Sequence, residues 1–281
     1  MRVTTLIENR SSETEGSLAA EWGLSIHIAF QDHNLLFDTG SSGAFAENAE
    51  KLSIDIASVD AAILSHHHFD HGGGLRQFFS LNSKAKVYLG QKPEGDCFAK
   101  TLLVKKYVGL DKRLFQDFPD RFVFVNRLTQ ILPDVFILPN LVEDAPKPQG
   151  NKKLYVRMDG HWMNDDFKHE IILAIKDAGN LVVFTGCSHN GILNMVESAS
   201  RDFKGVPIKA VVGGFHLVAL PPFNLMAGSK REIEELARKM LSRPVEMTYS
   251  GHCTGSKALE ILKKSMGERI TDIRTGSHFE V

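Results

Sequence analysis

Ser65-His66-His67-His68-Phe69-Asp70-His71-Gly72-Gly73-Gly74 is the stretch that decides how this chain is read. It contains the pattern His-x-His-x-Asp-His, with His66, His68, Asp70 and His71 in the fixed places. Imidazoles and a carboxylate suit zinc-class ions. In an extended turn alternate residues point the same way, so His66 and His68 can grip one ion while His67 faces elsewhere. Asp70 and His71 lie past the bend and face a neighbouring position, so one short loop offers donors for two adjacent ions. Before it, Ala61-Ala62-Ile63-Leu64 has the apolar run of a buried strand. After it, Gly72 to Gly74 permit a sharp turn, and Leu75, Phe78 and Phe79 have the spacing of a helix with one apolar face.

Four other segments share this layout of a strand delivering a polar residue to a glycine-rich loop. They are Phe37-Asp38-Thr39-Gly40, Thr185-Gly186-Cys187-Ser188-His189-Asn190-Gly191-Ile192, Gly213-Gly214-Phe215-His216-Leu217 and Gly251-His252-Cys253-Thr254-Gly255. Together with the histidine loop they make the chain resemble the metallo-β-lactamase superfamily. The closer resemblance is to its branch of metal-dependent hydrolases, β-lactamase superfamily II. That branch includes proteins named 7,8-dihydropterin-6-yl-methyl-4-(β-D-ribofuranosyl)aminobenzene 5′-phosphate synthase. The resemblance implies an α/β (α+β) fold, an αββα sandwich of two mixed sheets flanked by helices, with metals along one edge. It implies that His189 and His252 are ligands too. His66, His68 and His189 are then assigned to one ion, and Asp70, His71 and His252 to the second. His216 is implied to be a pocket residue that donates a proton or binds an anionic group. Many superfamily members carry a metal-bridging Asp where this chain has Cys187. Cys187 could ligate as a thiolate, or be a small buried residue beside a bridging water or hydroxide; the second is preferred. Asp38, at a strand end, is read as orienting a ligand histidine rather than binding metal. His27, His33, His161, His169 and His278 receive no role, and Cys253 is read as packing.

Composition sets the outer limits. The 281 residues are 43% hydrophobic and 24% charged, ordinary for a globular chain. Thirty-three basic against 34 acidic residues give a net charge of −1, with no bias toward nucleic acid. Twelve histidines and three cysteines, Cys97, Cys187 and Cys253, favour imidazole-based metal chemistry over a disulfide framework and suit a reducing cytosol. No apolar run approaches the roughly 20 residues of a membrane helix, and no secretory signal is visible, so a cytoplasmic protein without membrane contacts is expected.

Residues 1–281 read as one domain with strands and helices alternating in each half. Strands are expected at Val3 to Ile7, Leu24 to Phe30, Leu35 to Asp38, Val87 to Leu89, Glu170 to Ile175, Leu181 to Thr185, Ile208 to Val212, Val245 to Tyr249 and Ile270 to Arg274. Asp32-His33-Asn34 is expected to be the turn of the first hairpin. Helices are expected at Ala44 to Leu52, around Ile192 to Ala199, at Arg231 to Leu241 and at Ala258 to Met266. The stretch at about 91–160, rich in Lys, Phe and Pro, reads as an insertion or lid over the site, with short strands at Phe122 to Val125 and Val135 to Leu138.

The function expected is metal-dependent hydrolysis by a binuclear centre, with Zn²⁺ first and Mn²⁺ or Fe²⁺ as alternatives. Hydroxide between the ions would be the nucleophile, oriented by Asp70, and His216 would assist the leaving group. The partner is a small-molecule substrate of anionic type: a phosphate ester, lactone or thioester. Lys92, Lys147, Lys152, Lys153 and Arg157 stand available to meet its charge. One rival reading, from the resemblance, is a transferase condensing a dihydropterin diphosphate with an aminobenzene ribosyl phosphate. Another is a non-catalytic binder or sensor.

Overall fold

Leu35-Leu36-Phe37 shows how the layers arise. Successive side chains of a strand leave opposite faces. Leu35 and Phe37 enter one buried cluster and Leu36 enters another. Ala61 and Ile63 divide from Ala62 and Leu64 in the same way. A strand apolar on both faces must be covered on both, which requires layers. The computed structural model describes residues 1–12, 17–101, 104–220 and 224–281.

Two seven-stranded sheets provide the two middle layers. The first contains β1 (Arg2–Ile7), β2 (Ser25–Phe30), β3 (His33–Phe37), β4 (Ala61–Ile63), β5 (Lys86–Leu89), β8 (Phe122–Phe124) and β20 (His278–Glu280), in the order β20-β1-β2-β3-β4-β5-β8. The second contains β9 (Thr129–Leu132), β10 (Val135–Leu138), β13 (Ile172–Asp177), β14 (Asn180–Phe184), β15 (Ile208–Gly213), β18 (Val245–Ser250) and β19 (Ile270–Asp272), in the order β19-β18-β15-β14-β13-β10-β9. In each, antiparallel pairs give way to parallel ones: β3-β4-β5-β8 in the first and β14-β15-β18-β19 in the second. Both sheets are therefore mixed.

Between the sheets lie Ile26, Ile28, Phe37 and Ile63 from one side and Leu173, Val182, Phe184 and Val212 from the other. Outside the first sheet pack α1 (Ala44–Lys51) and α3 (Leu75–Leu81), through Phe45, Ala49, Leu75 and Phe78. Outside the second pack α5 (Ile192–Asp202), α6 (Lys230–Leu241) and α7 (Ser256–Met266), through Met195, Val196, Ile233, Ala237, Leu259 and Leu262. The result is the αββα sandwich.

Two expectations need correction. His33 and Asn34 belong to β3, paired with Phe30 and Ala29, so the first hairpin turns at Gln31 and Asp32, where Gln31 takes φ 52°. A single insertion over 91–160 is also too simple. That stretch contributes β8 to the first sheet and β9 and β10 to the second. Its β6 (Asp96–Thr101), β7 (Val104–Tyr107) and β11 (Leu154–Met158) form a separate four-stranded sheet with β12 (His161–Asn164), which lies just beyond the stretch, in the order β12-β11-β6-β7. The helix α4 (Leu114–Asp117) lies in the same stretch. A two-stranded ribbon of β16 (Val218–Leu220) and β17 (Leu225–Met226) follows β15.

Candidate metal centre

The strand β4 ends one residue before Leu64, and the histidine loop begins at the sheet edge. Asp38, at the end of the neighbouring β3, takes φ 58°, a left-handed conformation costly for a residue with a Cβ. That bend aims its carboxylate at the loop. Ser65 donates its backbone N–H to Asp38 Oδ1 at 2.7 Å and its hydroxyl to Oδ2 at 2.7 Å. Oδ2 also lies 2.6 Å from His71 Nδ1. His68 is extended, and the four-residue α2 (Phe69–Gly72) then turns Asp70 and His71 inward.

Four of the imidazoles, those of His66, His71, His189 and His252, share one pattern. The outward nitrogen is held by an oxygen and the other nitrogen faces the centre. His71 Nδ1 meets Asp38, His66 Nδ1 is 2.9 Å from Ser65 Oγ, His189 Nδ1 is 3.0 Å from Asn151 Oδ1, and His252 Nδ1 is 3.0 Å from Asn9 Oδ1. Inward, His66 Nε2 is 3.2 Å from His68 Nδ1, and His71 Nε2 is 3.2 Å from His252 Nε2. Asp70 Oδ2 completes the second cluster, 3.4 Å from His252 Nε2 and 3.9 Å from His71 Nε2. Trp22 Nε1–H donates to the same oxygen at 2.9 Å.

Two donor groups result, Asp70-His71-Cys187-His252 and His66-Cys187-His189, each with its ligand atoms within 4.8 Å of one another. His68 faces the second group, its ring 5.0 Å from that of His189. Cys187 belongs to both groups and its Sγ is 3.1 Å from His71 Nε2.

These donors fit a metal. His189 Nε2 is buried without a hydrogen-bond partner among the described residues, although its other nitrogen is held. Burial, and then the neighbouring histidines, hold His66 and His189 well below the ordinary imidazole range. His68 falls to about 4, chiefly through burial. For Asp70, burial pushes upward but His71, His252 and His68 outweigh it and keep the carboxylate ionised. His71 rises to about 9: burial opposes its charge, and Asp38 and Asp70 more than compensate. Burial raises the Cys187 thiol well above its ordinary value. Neutral His66, His68 and His189 and the ionised Asp70 are in the state a cation requires, whereas His71 would have to release its proton to bind one.

His216 stands at the margin. Its ring is 4.2 Å from that of His189, its backbone takes φ 48°, and its Nδ1 has no partner among the described residues. His252 and Ser188 also take positive φ, so several strained residues border the centre. His67 turns away and stacks on His169 at 4.4 Å.

Several residues that the sequence reading passed over prove to hold this arrangement. Glu170, fully buried, accepts the backbone N–H groups of His189 and Asn190 at 2.8 and 2.7 Å. Glu8 does the same for His252 N–H at 2.6 Å. Each buried glutamate fixes a loop that carries a histidine. The available signal was an acidic residue directly abutting an apolar strand run, Glu8 after β1 and Glu170 before Ile171. Trp22, Asn9 and Asn151 gave no comparable signal. His169, given no role from the sequence, lies against the histidine loop, its Nε2 3.3 Å from Asp165 Oδ2.

Clefts flank the centre. One of about 310 Å³ is lined by His252, Trp22, Asn9 and Arg10. One of about 540 Å³ is lined by Gly191, Phe215, Leu217, Lys147 and Arg231, on the His216 side. Lys92 and Arg157 line a third beside His67, whereas Lys152 is exposed and Lys153 half-buried in the 3₁₀ turn that presents Asn151.

The chain belongs to the metallo-β-lactamase superfamily, whose family model matches residues 23–129. A Methanocaldococcus jannaschii protein named 7,8-dihydropterin-6-methyl-4-(beta-D-ribofuranosyl)-aminobenzene-5′-phosphate synthase is 30% identical, over 92% of this chain and 89% of that protein. The crystal structure of Tm1679, described as a metal-dependent hydrolase of the beta-lactamase superfamily, is 31% identical with a TM-score of 0.82, covering 100% of this chain and 99% of that one. Zn²⁺-bound PqqB from Methylobacterium extorquens shares the fold at 10% identity, with a TM-score of 0.59 and 100% of both chains covered.

Proposed function

We propose that this chain is a metal-dependent hydrolase with a binuclear centre, acting on a small anionic substrate such as a phosphate ester, lactone or thioester. The observation that carries the reading is the convergence of inward nitrogens from His66, His68, His71 and His252 with Asp70, while oxygen partners hold the outward nitrogens of His66, His71 and His252. His66, His68 and His189 would hold one ion, and Asp70, His71 and His252 the other, with Cys187 between them. Two such ions, Zn²⁺ or else Mn²⁺ or Fe²⁺, would supply an electrophile and hydroxide at neutral pH.

The chain's own residues do the rest. Asp70, held by Trp22, keeps a negative charge and an acceptor oxygen facing the second cluster. Asp38 fixes the His71 ring, and Asn9 and Asn151 fix those of His252 and His189. His216, whose Nδ1 has no hydrogen-bond partner among the described residues, can carry a proton to a leaving group. Arg10 and Trp22 in the cleft beside His252 can meet an anionic group and a flat one. Three unpaired buried thiols support a reducing, cytoplasmic setting.

The name of the Methanocaldococcus relative favours a second reading, condensation of a dihydropterin diphosphate with an aminobenzene ribosyl phosphate. The same donors would then face the departing diphosphate. A panel of phosphate esters, lactones and thioesters, assayed with reconstituted protein, tests the first reading. Asp70→Ala should abolish turnover while the circular dichroism spectrum is kept. Undiminished turnover in that variant sinks it. Formation of the coupled pterin with no hydrolysis of the panel would select the second.

A further inference from the structure

Three side chains meet on the side of His68 that faces away from His66. One ring nitrogen of His68, the Cys97 thiol of β6 and a carboxylate oxygen of Asp165, just after β12, lie within 4.8 Å of one another. All three residues are buried, at 5, 5 and 8% exposure. His68 Nδ1 faces His66, so Nε2 is the nitrogen left for this group, and it has no hydrogen-bond partner among the described residues. The adjoining His67 Nε2 is likewise buried and without one, and its ring stacks on His169, which in turn contacts Asp165. A buried donor or acceptor left unsatisfied costs about 1–3 kcal/mol, so a fold that keeps His68 Nε2 in that state beside Cys97 and Asp165 points to something that satisfies it.

The chemistry of the set says what that is. A thiolate and a carboxylate carry two negative charges, which a divalent cation neutralises inside a buried space, and the His68 ring adds a nitrogen donor shared with the binuclear centre. Sulfur, nitrogen and oxygen donors together suit a borderline ion of the zinc class. Clefts of about 480 and 340 Å³ both reach His67 and Cys97, and the smaller also reaches Asp165 and His169, so there is an entry path.

We propose that His68, Cys97 and Asp165 form a third cation site, for a zinc-class divalent ion, with its remaining position open to the cleft beside His67 and His169. The thiol proton and the remaining N–H proton of the His68 ring leave to solvent as the cation binds, so that His68 bridges to the binuclear centre as an imidazolate. The site shares only the His68 ring with the binuclear centre and depends on that reading only through the orientation of His68. A cation there ties the four-stranded sheet to the histidine loop, a link otherwise made by Phe69 N–H to the Val108 carbonyl at 2.9 Å and the bridge of His68 to Gly109.

Cobalt(II) alone is a sufficient probe. The full chain, stripped with a chelator and titrated with cobalt, should take up about three equivalents. Cys97→Ser and Asp165→Asn should each remove about one. The thiolate-to-cobalt charge-transfer absorption that survives in Cys187→Ser should vanish when Cys97→Ser is added. His189→Ala and His252→Ala remove other equivalents and leave that absorption in place, so failure of the binuclear centre and failure of this site give different patterns. Wild-type uptake by a folded Cys97→Ser or Asp165→Asn protein overturns the proposal. So does loss of the whole absorption in Cys187→Ser alone. Should Cys97→Ser not fold, Asp165→Asn decides.

Discussion

Asp38 holds three groups at once: the Ser65 backbone N–H, the Ser65 hydroxyl and His71 Nδ1. Asp38→Ala takes the carboxylate from all three buried groups, leaving Ser65 Oγ only the ring nitrogens of His66 at 2.9 Å and His71 at 3.4 Å. Denaturant unfolding should show a loss of about 3 kcal/mol. Metal affinity, read by chelator competition, should fall about 10–100-fold, the usual cost of removing a carboxylate behind a ligating histidine. Trp22→Phe is the milder contrast. It removes one N–H from Asp70 Oδ2 and keeps the ring, so stability should change by about 1 kcal/mol or less while affinity drops about tenfold. At this scale the histidine loop was legible because its donors are neighbours in sequence, and Asp38 because it ends a strand. Their holders were not. Asn9 meets His252 across 243 residues, Asn151 meets His189 across 38 and Trp22 meets Asp70 across 48. No local period encodes such a contact, and an asparagine reads equally well as a turn residue. His169 escaped for the same reason, since its stacking partner His67 lies on another loop.

Among elements, the loops that carry the donors tolerate change least. A Cβ on Gly73 would lie 2.2 Å from the Ser41 carbonyl oxygen and 2.6 Å from that of Phe69, both backbone atoms that cannot swing aside. Gly73→Ala should therefore cost about 3 kcal/mol in stability and reduce metal uptake, because α2 carries Asp70 and His71. Ser229→Ala, at the other extreme, breaks the capping box of α6 with Glu232. It should cost about 1 kcal/mol and leave metal content unchanged, measured by thermal unfolding and elemental analysis. Strands and helices that border the core were legible from their period, as in Leu181 to Phe184 and Arg231 to Leu241. The four-stranded sheet was not. Its β12 is exposed along its whole length and β7 alternates exposed with half-buried residues, so neither presents the apolar rhythm by which a strand is recognised.

For the molecule as a whole, the donors come from loops at the ends of several strands, from β4 in one sheet to β14 and β18 in the other, so the centre spans both halves of the sandwich. Ions bound there would bridge the two sheets and stabilise the folded state by linkage. Chelation should lower the unfolding free energy by about 3 kcal/mol where free metal stands near a hundredfold above its dissociation constant. The two-sheet architecture came from family resemblance rather than from periodicity, which alone yields only mixed α and β. The division of 91–160 among three sheets could not be read from composition, because β8 and β10 are short and pair with distant partners.

The most direct test of the proposed binuclear centre is the metal content of tag-free protein, wild type against His189→Ala, His252→Ala and the double variant, all checked for folding. His189 belongs to one donor group and His252 to the other. Each single substitution should remove about one ion per chain, and the double substitution about two. Metal content equal to wild type in both single variants would contradict the account.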